Sequence, residues 1–420
     1  RYLASGLFLI GGSLGAGVRI YVTAIAVMVV FRVFYPDWGI LHSIALFTTV
    51  AIIYTWVGGI KAVIWADVIQ FSIFVLGGIY ALYFIPTLLD GGWDEMMRIG
   101  AETGRLTWIR SGLVSMQSFQ DSGGSGFGGF IWANIKEIIG GRFNIWMGLI
   151  GATIGVMCSH GVDQLNVQRV LTCKNAREGG KALILSSFII FPLFLMFLMV
   201  GVALYAYYST NGFNFGIDPW NPTDLTATPK ADYIFPIFIV TQVPTVLKGL
   251  LIAGILAAAM SSISGALAAL GSVAVMDFYR VLDRNRKSEK FYLGLSRWGI
   301  IAVSLVLMVI AYLCKTAPLV FNLAFTLAGL TSGAILGAVL FAMWKKRCHP
   351  RPIMLGMVMS VLVVTAIVIM VRKGIIAMNW PWFTPIGTAV TLLVAYGSAW
   401  NMPVPEKDFE EDSKPGAPQK

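Results

Sequence analysis

Long apolar runs constrain this chain more than any other feature. Stretches at residues 3–33, 38–57, 62–87, 146–163, 181–208, 246–276, 293–314, 318–344, 352–371 and 380–400 are dominated by Leu, Ile, Val, Phe, Ala and Gly and hold very little charge. About twenty such residues in a helix cross the ~30 Å hydrocarbon core of a bilayer. Backbone in hydrocarbon must hydrogen-bond to itself, so runs of this length fold as helices. A membrane barrel would show alternating segments of about ten residues instead. Composition agrees, with 57% hydrophobic and 12% charged residues, where a soluble domain carries roughly 25% charged. The fold class is therefore all-α: a polytopic membrane protein with about ten transmembrane helices and the lipid bilayer as its solvent.

The basic excess, 31 Lys and Arg against 21 Asp and Glu, falls in short connections. Arg169, Lys174, Arg177 and Lys181 lie in 164–181. Arg280, Arg284, Arg286, Lys287 and Lys290 lie in 277–292, and Lys345, Lys346, Arg347 and Arg351 in 345–351. Ten alternating spans put these connections, Lys61 and the tail from 401 on one side. Basic loops face the cytoplasm, so the chain is expected in the plasma (cell inner) membrane, multi-pass, with its C-terminus cytoplasmic. The net charge of +10 then reads as an orientation signal, with no nucleic-acid partner and no obligate protein partner implied. Cys158, Cys173, Cys314 and Cys348 do not stand at metal-ligand spacing, so neither a disulfide nor a zinc site is indicated. The chain opens Arg1-Tyr2-Leu3 without a Met, which reads as an N-terminal truncation with no cleavable signal peptide.

Two longer connections, 88–145 and 209–245, are expected on the opposite side. The first has Trp93, Trp108 and a Gly/Ser run from Gly123 to Gly129, the pattern of a flexible linker with interfacial aromatics. The second has Pro219, Pro222, Pro229 and Pro236 and is either a cap over a vestibule or an inert connection. Residues 1–400 are expected to form the transmembrane domain, and 401–420 a charged, disordered cytoplasmic tail.

Polarity inside a span is costly and so marks candidate sites. Arg19 lies mid-helix in Gly-Ala-Gly-Val-Arg-Ile-Tyr; Asp67 and Gln70 lie one turn inside the third span; His160, Asp163 and Gln164 close the fourth. The sixth span holds Ala257-Ala-Ala-Met-Ser-Ser-Ile-Ser-Gly265. Ala258, Ser261 and Ser262 stand at i, i+3 and i+4, on one face, with Ser264 beside Ser261. Two hydroxyls and a carbonyl make about half of the oxygen shell of a hard monovalent cation. The same residues also suit a small-residue helix-packing face.

Three motifs resemble one family. Tyr54-Thr-Trp-Val-Gly-Gly-Ile-Lys-Ala-Val-Ile-Trp-Ala-Asp67-Val-Ile-Gln70 is similar to a pattern of the sodium/solute symporters. Asp163-Gln164-Leu-Asn-Val-Gln168-Arg169 with Lys174-Asn175 resembles that family's cytoplasmic motif. Ala258-Ala-Met-Ser261-Ser262, ending in Asp277-Phe-Tyr279-Arg280, resembles its sodium helix. The resemblance implies a LeuT-type inverted-repeat fold with its site near the bilayer midplane, these spans being core helices three to twelve. It implies sodium as coupling ion, bound by the Ala258 carbonyl and the Ser261 and Ser262 hydroxyls, the remaining ligands coming from a first core helix beyond this chain. Asp67 and Ser264 match a further cation site of some relatives, where Gly265 is a hydroxyl residue. Asp67 could equally be a structural carboxylate at a helix start. Sugar-transporting members carry polar or aromatic contacts where this chain has Val156, Ser159 and Ala324, which argues against a hexose. His160 and Arg19 would suit an anionic solute such as a carboxylate.

The function read from this is sodium-coupled symport of a small organic solute, not an enzyme. Its rivals are a symporter-like sensor module without transport, a channel, and a membrane enzyme using His160 and Asp163. No signalling domain follows residue 400, no repeated polar ring suits a channel, and no nucleophile motif, phosphate loop or metal cluster accompanies the His–Asp pair.

Overall fold

The computed structural model describes residues 2–141, 143–212, 231–283, 287–316, 320–345 and 349–399, the side chains of 57–64, 231, 316, 320 and 321 apart. The principal helices, in chain order, are α1 (Tyr2–Arg32), α2 (Ile40–Phe84), α3 (Gly92–Glu102), α4 (Phe127–Gly140), α5 (Thr153–Gly161), α6 (Gln164–Val170), α7 (Ala176–Asn211), α8 (Ala231–Gln242), α9 (Thr245–Val273), α10 (Glu289–Leu313), α11 (Val320–Trp344), α12 (Pro350–Arg372) and α13 (Phe383–Ala399). Among the described residues, 7 helices are long and apolar enough to cross a membrane, and Ile40–Trp56 and Met147–Gly161 are shorter apolar helices.

Three sequence expectations change. The runs 38–57 and 62–87, read as separate spans, belong to one 45-residue helix. Gly58-Gly59 does not break it, because each helical Gly costs only about 1 kcal/mol, less than leaving backbone groups unpaired in lipid. Lys61 is therefore part of a helix and not of a basic loop. The connection 88–145 is largely helical, and Phe127–Gly129 open α4 where a flexible linker is expected. Phe119 packs edge-on against Phe130, 5.7 Å between rings, and so ties the Gly-rich segment down. Pro236 lies inside α8; Pro219, Pro222 and Pro229, like the tail 401–420, lie outside the described residues.

The chain divides into two compact units, Arg1–Arg110 with Gln164–Leu327, and Ser111–Asp163 with Ala328–Lys420. In the first, α1 packs on α2, α8, α9 and α10. Its residues from Gly15 to Val18 and Ile20 to Tyr21 are buried, as expected of a helix enclosed by others. Ile20, Ile25, Ile44, Ile263, Leu267, Leu270 and Leu307 form the centre of this cluster. Lipid is as apolar as Leu, so close packing holds these helices together rather than escape from water. Gly17 shows how close: a Cβ there would lie 2.8 Å from Ile310 Cβ. At the end of α1, Arg32 Nε donates to the Trp38 carbonyl at 2.8 Å, and Trp38 stacks on Phe31 at 4.6 Å. A second cluster joins Met96 and Ile99 of α3 to Ala203 and Ala206 of α7 and to Phe238 and Ile239 of α8. The outer face of α3 carries Arg98, paired with Glu95 at 2.7 Å and Glu102 at 2.8 Å. Those hydrogen bonds hold the Glu95 carboxyl below its usual range.

In the second unit, α12 and α13 pack through backbone-close contacts. A Cβ on Gly356 would lie 2.5 Å from the Thr391 carbonyl oxygen, and Ser360 Oγ donates to the Gly387 carbonyl at 2.8 Å. The segment before α13 is pinned to the end of α4, with Asn379 N donating to Ile139 O at 3.1 Å and Trp382 Nε1 to Ile138 O at 3.3 Å. Overpacking of this kind costs about 1–3 kcal/mol. Gly356→Val should therefore lower the thermal midpoint in detergent by several degrees. Gly397→Ala, which meets nothing within 4 Å, should leave it unchanged.

Candidate functional site

The polar centre of the first unit is built on α9. Apolar residues on both sides keep the segment helical, and Ser264 satisfies its own proton locally. Ser264 Oγ donates to the Ser261 carbonyl at 3.2 Å, the back-bonding available to a membrane-buried Ser. Its oxygen lone pairs remain free to accept. Ser264 is 1% exposed, whereas Ala258, Ser261 and Ser262 are half-buried. Beyond Val273 the helix widens into a π-helical stretch, Ala274–Tyr279, where Asp277 accepts from Ser5 Oγ of α1 at 2.6 Å.

Two arginines reach this helix from different elements. Arg19 of α1 donates through Nη1 to Ser262 Oγ at 3.1 Å. Arg169 of α6 donates through Nη2 to Asp67 Oδ2 at 3.0 Å and to the Ser261 carbonyl at 3.3 Å. Gly265 makes room for this second guanidinium, since a Cβ there would lie 3.1 Å from Arg169 Nη2. The Asp67–Arg169 pair is part-buried, the side chains being 21% and 39% exposed. Removing either partner would leave the other's charge part-buried and uncompensated.

The oxygen inventory suits a hard cation. Ser261 and Ser262 offer hydroxyls, and Ala258 a carbonyl that keeps one lone pair beyond its helical bond. Around Asp67, three buried oxygens have no hydrogen-bond partner among the described residues: Asp67 Oδ1, Gln70 Oε1 and Tyr54 Oη. A buried polar atom left unpaired costs about 1–3 kcal/mol, which a cation beside the two acceptors would offset.

The structure thus brings Arg19 to Ser262, and links Asp67 to the Ser261 carbonyl through Arg169, the same carbonyl that accepts from Ser264. Arg169 is the residue sequence reasoning missed as part of the site, reading it as cytoplasmic charge. Its signal was present in the Gln168-Arg169 pair, but the contact spans 102 residues. Ala324, in α11, is half-buried against the main apolar cluster of the first unit. Val156, Ser159 and His160 belong to the second unit. There Val156 is 50% exposed, and Ser159 Oγ meets His160 Nδ1 at 2.9 Å. His160 and Asp163 do not share a helical face: α5 ends at Gly161, and Asp163 N turns back to the Cys158 carbonyl at 3.1 Å. That separation removes the geometry on which the enzyme reading depends.

If Arg169 and Asp67 stabilise each other, Asp67→Asn and Arg169→Gln should each lower stability. The double variant should lose less than their sum, by about 1 kcal/mol. Denaturant unfolding of the four proteins measures this coupling, and strict additivity would contradict it.

The sodium:solute symporter family matches residues 35–360. A sodium/sialic acid symporter of Proteus mirabilis is 27% identical over 333 residues, 77% of this chain and 59% of that protein. One from Aliivibrio fischeri is 27% identical over 389 residues, 90% of this chain and 66% of that protein. This chain accordingly spans less than two thirds of the length of these relatives. In fold it is similar to a solved substrate-bound, outward-open Na+-coupled sialic acid symporter, with a TM-score of 0.74 at 24% identity, over 96% of this chain and 75% of that one. The match across most of the chain and the shared fold give one conclusion: this chain belongs to the sodium:solute symporter family.

Proposed function

We propose that this protein is a secondary active symporter in which sodium entry drives uptake of a small organic acid. The observation that carries this reading is the Arg19–Ser262 contact, 3.1 Å long. It joins an exposed guanidinium, flanked by Val18 at 1% and Ile20 at 0% exposure, to the oxygen-bearing face of α9. An arginine held among apolar helices offers a planar, permanently charged fork to a carboxylate. An adjacent cluster of oxygens offers a hard cation its ligands. Two relatives named for an acidic sugar are consistent with an anionic solute. In this reading Ala258, Ser261 and Ser262 hold one sodium. Asp67 and Ser264 hold a second when Arg169 withdraws; the positions proposed to bear on solute choice are Arg19 and Ala324 in the first unit and, separately, Val156, Ser159 and His160 in the second. The apolar Val156 and Ala324 offer no polar contact to a sugar ring, which disfavours a hexose.

Transport follows from differential affinity. Sodium stabilises one conformation of α9 relative to its neighbours, and solute binds that conformation better, so each raises the affinity of the other by the same factor. With two sodium ions per singly charged anion, one net positive charge moves, and 100 mV then releases about 2.3 kcal/mol, enough for a gradient of about fiftyfold at 1.4 kcal/mol per decade. Residues 1–400 act as the transporter domain in the plasma (cell inner) membrane, with the basic connections and the tail from 401 on the cytoplasmic side.

Uptake by the protein in proteoliposomes, screened over sugars, amino acids, monocarboxylates and sialic acid with sodium or choline outside, tests this reading. The expected result is an anionic solute that enters only with sodium. Ser261→Ala should raise the half-saturating sodium concentration at least tenfold, and Ser264→Ala should alter the sodium-to-solute ratio. Uptake indifferent to sodium would overturn the symport reading.

A further inference from the structure

Ser262 is claimed twice. It is one of the two hydroxyls assigned above to sodium, and its Oγ accepts a hydrogen bond from Arg19 Nη1 at 3.1 Å. A guanidinium and a sodium ion compete for one hydroxyl, because two positive charges at such a distance repel. Arg19 is also the exposed cation of α1, on a helix whose adjoining residues Val18 and Ile20 are buried. The guanidinium has five donors in a fixed fork. A carboxylate accepts two of them side by side, more strongly than a neutral hydroxyl accepts one. Anion and Ser262 therefore compete for the same group.

We infer that Arg19 is the positioning residue that couples the two cargoes: a carboxylate-bearing solute takes the guanidinium from Ser262 and neutralises its charge, and the hydroxyl so released completes the sodium site. This rests on the proposed symport and explains which atom transmits it. Without solute, the arginine stands as a tethered competitor of sodium. With solute, it becomes the solute's own counter-ion. Reciprocity requires the linkage to run both ways, so sodium on Ser262 keeps Arg19 available to the anion. Arg169 and Asp67 lie at Ser261, one residue away, and their pair is not broken by this exchange.

The test is sodium binding to the purified protein, titrated with sodium chloride against choline chloride at fixed ionic strength and read calorimetrically, first with no solute. Arg19→Gln should bind sodium at least tenfold more tightly than the parent. Arg19→Lys, which keeps the charge, should stay within about threefold of it. Placed on a Ser262→Ala background, Arg19→Gln should gain much less. With sialic acid or pyruvate as the anion probe, whichever the parent takes up, sodium affinity of the parent should rise and that of Arg19→Gln should not. Unchanged or weaker sodium binding by Arg19→Gln, or an equal gain in Arg19→Lys, would overturn the inference, thermal unfolding having shown each variant folded. Should Ser261→Ala also leave sodium binding intact, the sodium helix itself is misassigned. If Ser261→Ala abolishes binding while Arg19→Gln does nothing, only the coupling role of Arg19 fails.

Discussion

A positive charge held among apolar helices is the constraint around which the rest of this molecule is arranged. Two unit charges of like sign 4 Å apart at an effective dielectric of about 20 repel by about 4 kcal/mol, comparable with the whole free energy a transporter handles per ion. Arg19 and Arg169 both bring a guanidinium to α9, at Ser262 and Ser261. Any cation arriving at that face must displace, or be helped past, a cation the protein already owns. The carboxylate of Asp67 lies 3.0 Å from one of them, Arg169, while the other meets the Ser262 hydroxyl.

The scaffold serves this arrangement by being unable to satisfy polar groups elsewhere. In hydrocarbon each backbone amide is consumed by its own helix, so the adjustable polar contacts are made by side chains and by the second lone pair of helix carbonyls such as that of Ser261. Glycines at the packing faces, such as Gly17 against Ile310, bring α1 close to α10 while Ile20, Ile263 and Leu267 fill the space beside it. Arg19 can then touch α9 with a single hydrogen bond rather than across a layer of lipid-like side chains. Gly265 acts in the same way for Arg169, the missing Cβ leaving room for the guanidinium.

Much of this was legible in the sequence because hydropathy reports on lipid directly. The spans α1, α7, α9, α10, α11 and α12 lie close to where the apolar runs place them, and the serine face of α9 follows from i, i+3 spacing. Other features follow from tertiary contacts that no local pattern encodes. Gly58-Gly59 looks like a turn, yet α2 runs through it, since glycine permits a break without requiring one. Helix α3 hides in a connection that averages polar because its apolar stripe is short, Met96, Ile99 and Gly100 being its buried residues. The Asp67–Arg169 pair joins residues 102 apart, and Arg19 meets Ser262 across 243. Spacing can nominate each residue but cannot introduce one to the other. His160 and Asp163 fail in the opposite sense, their spacing suggesting a shared face that the helix end at Gly161 removes.

What distinguishes a coupled carrier from a channel or a sensor is that the two cargoes move each other. The most direct measurement is sodium flux into proteoliposomes with equal sodium on both sides, the membrane potential clamped at zero and an inward gradient imposed of the anion found to be transported. If solute and sodium share α9 as described, sodium accumulates inside against no gradient of its own, in fixed proportion to the solute that enters. Solute entry without accompanying sodium would contradict the account.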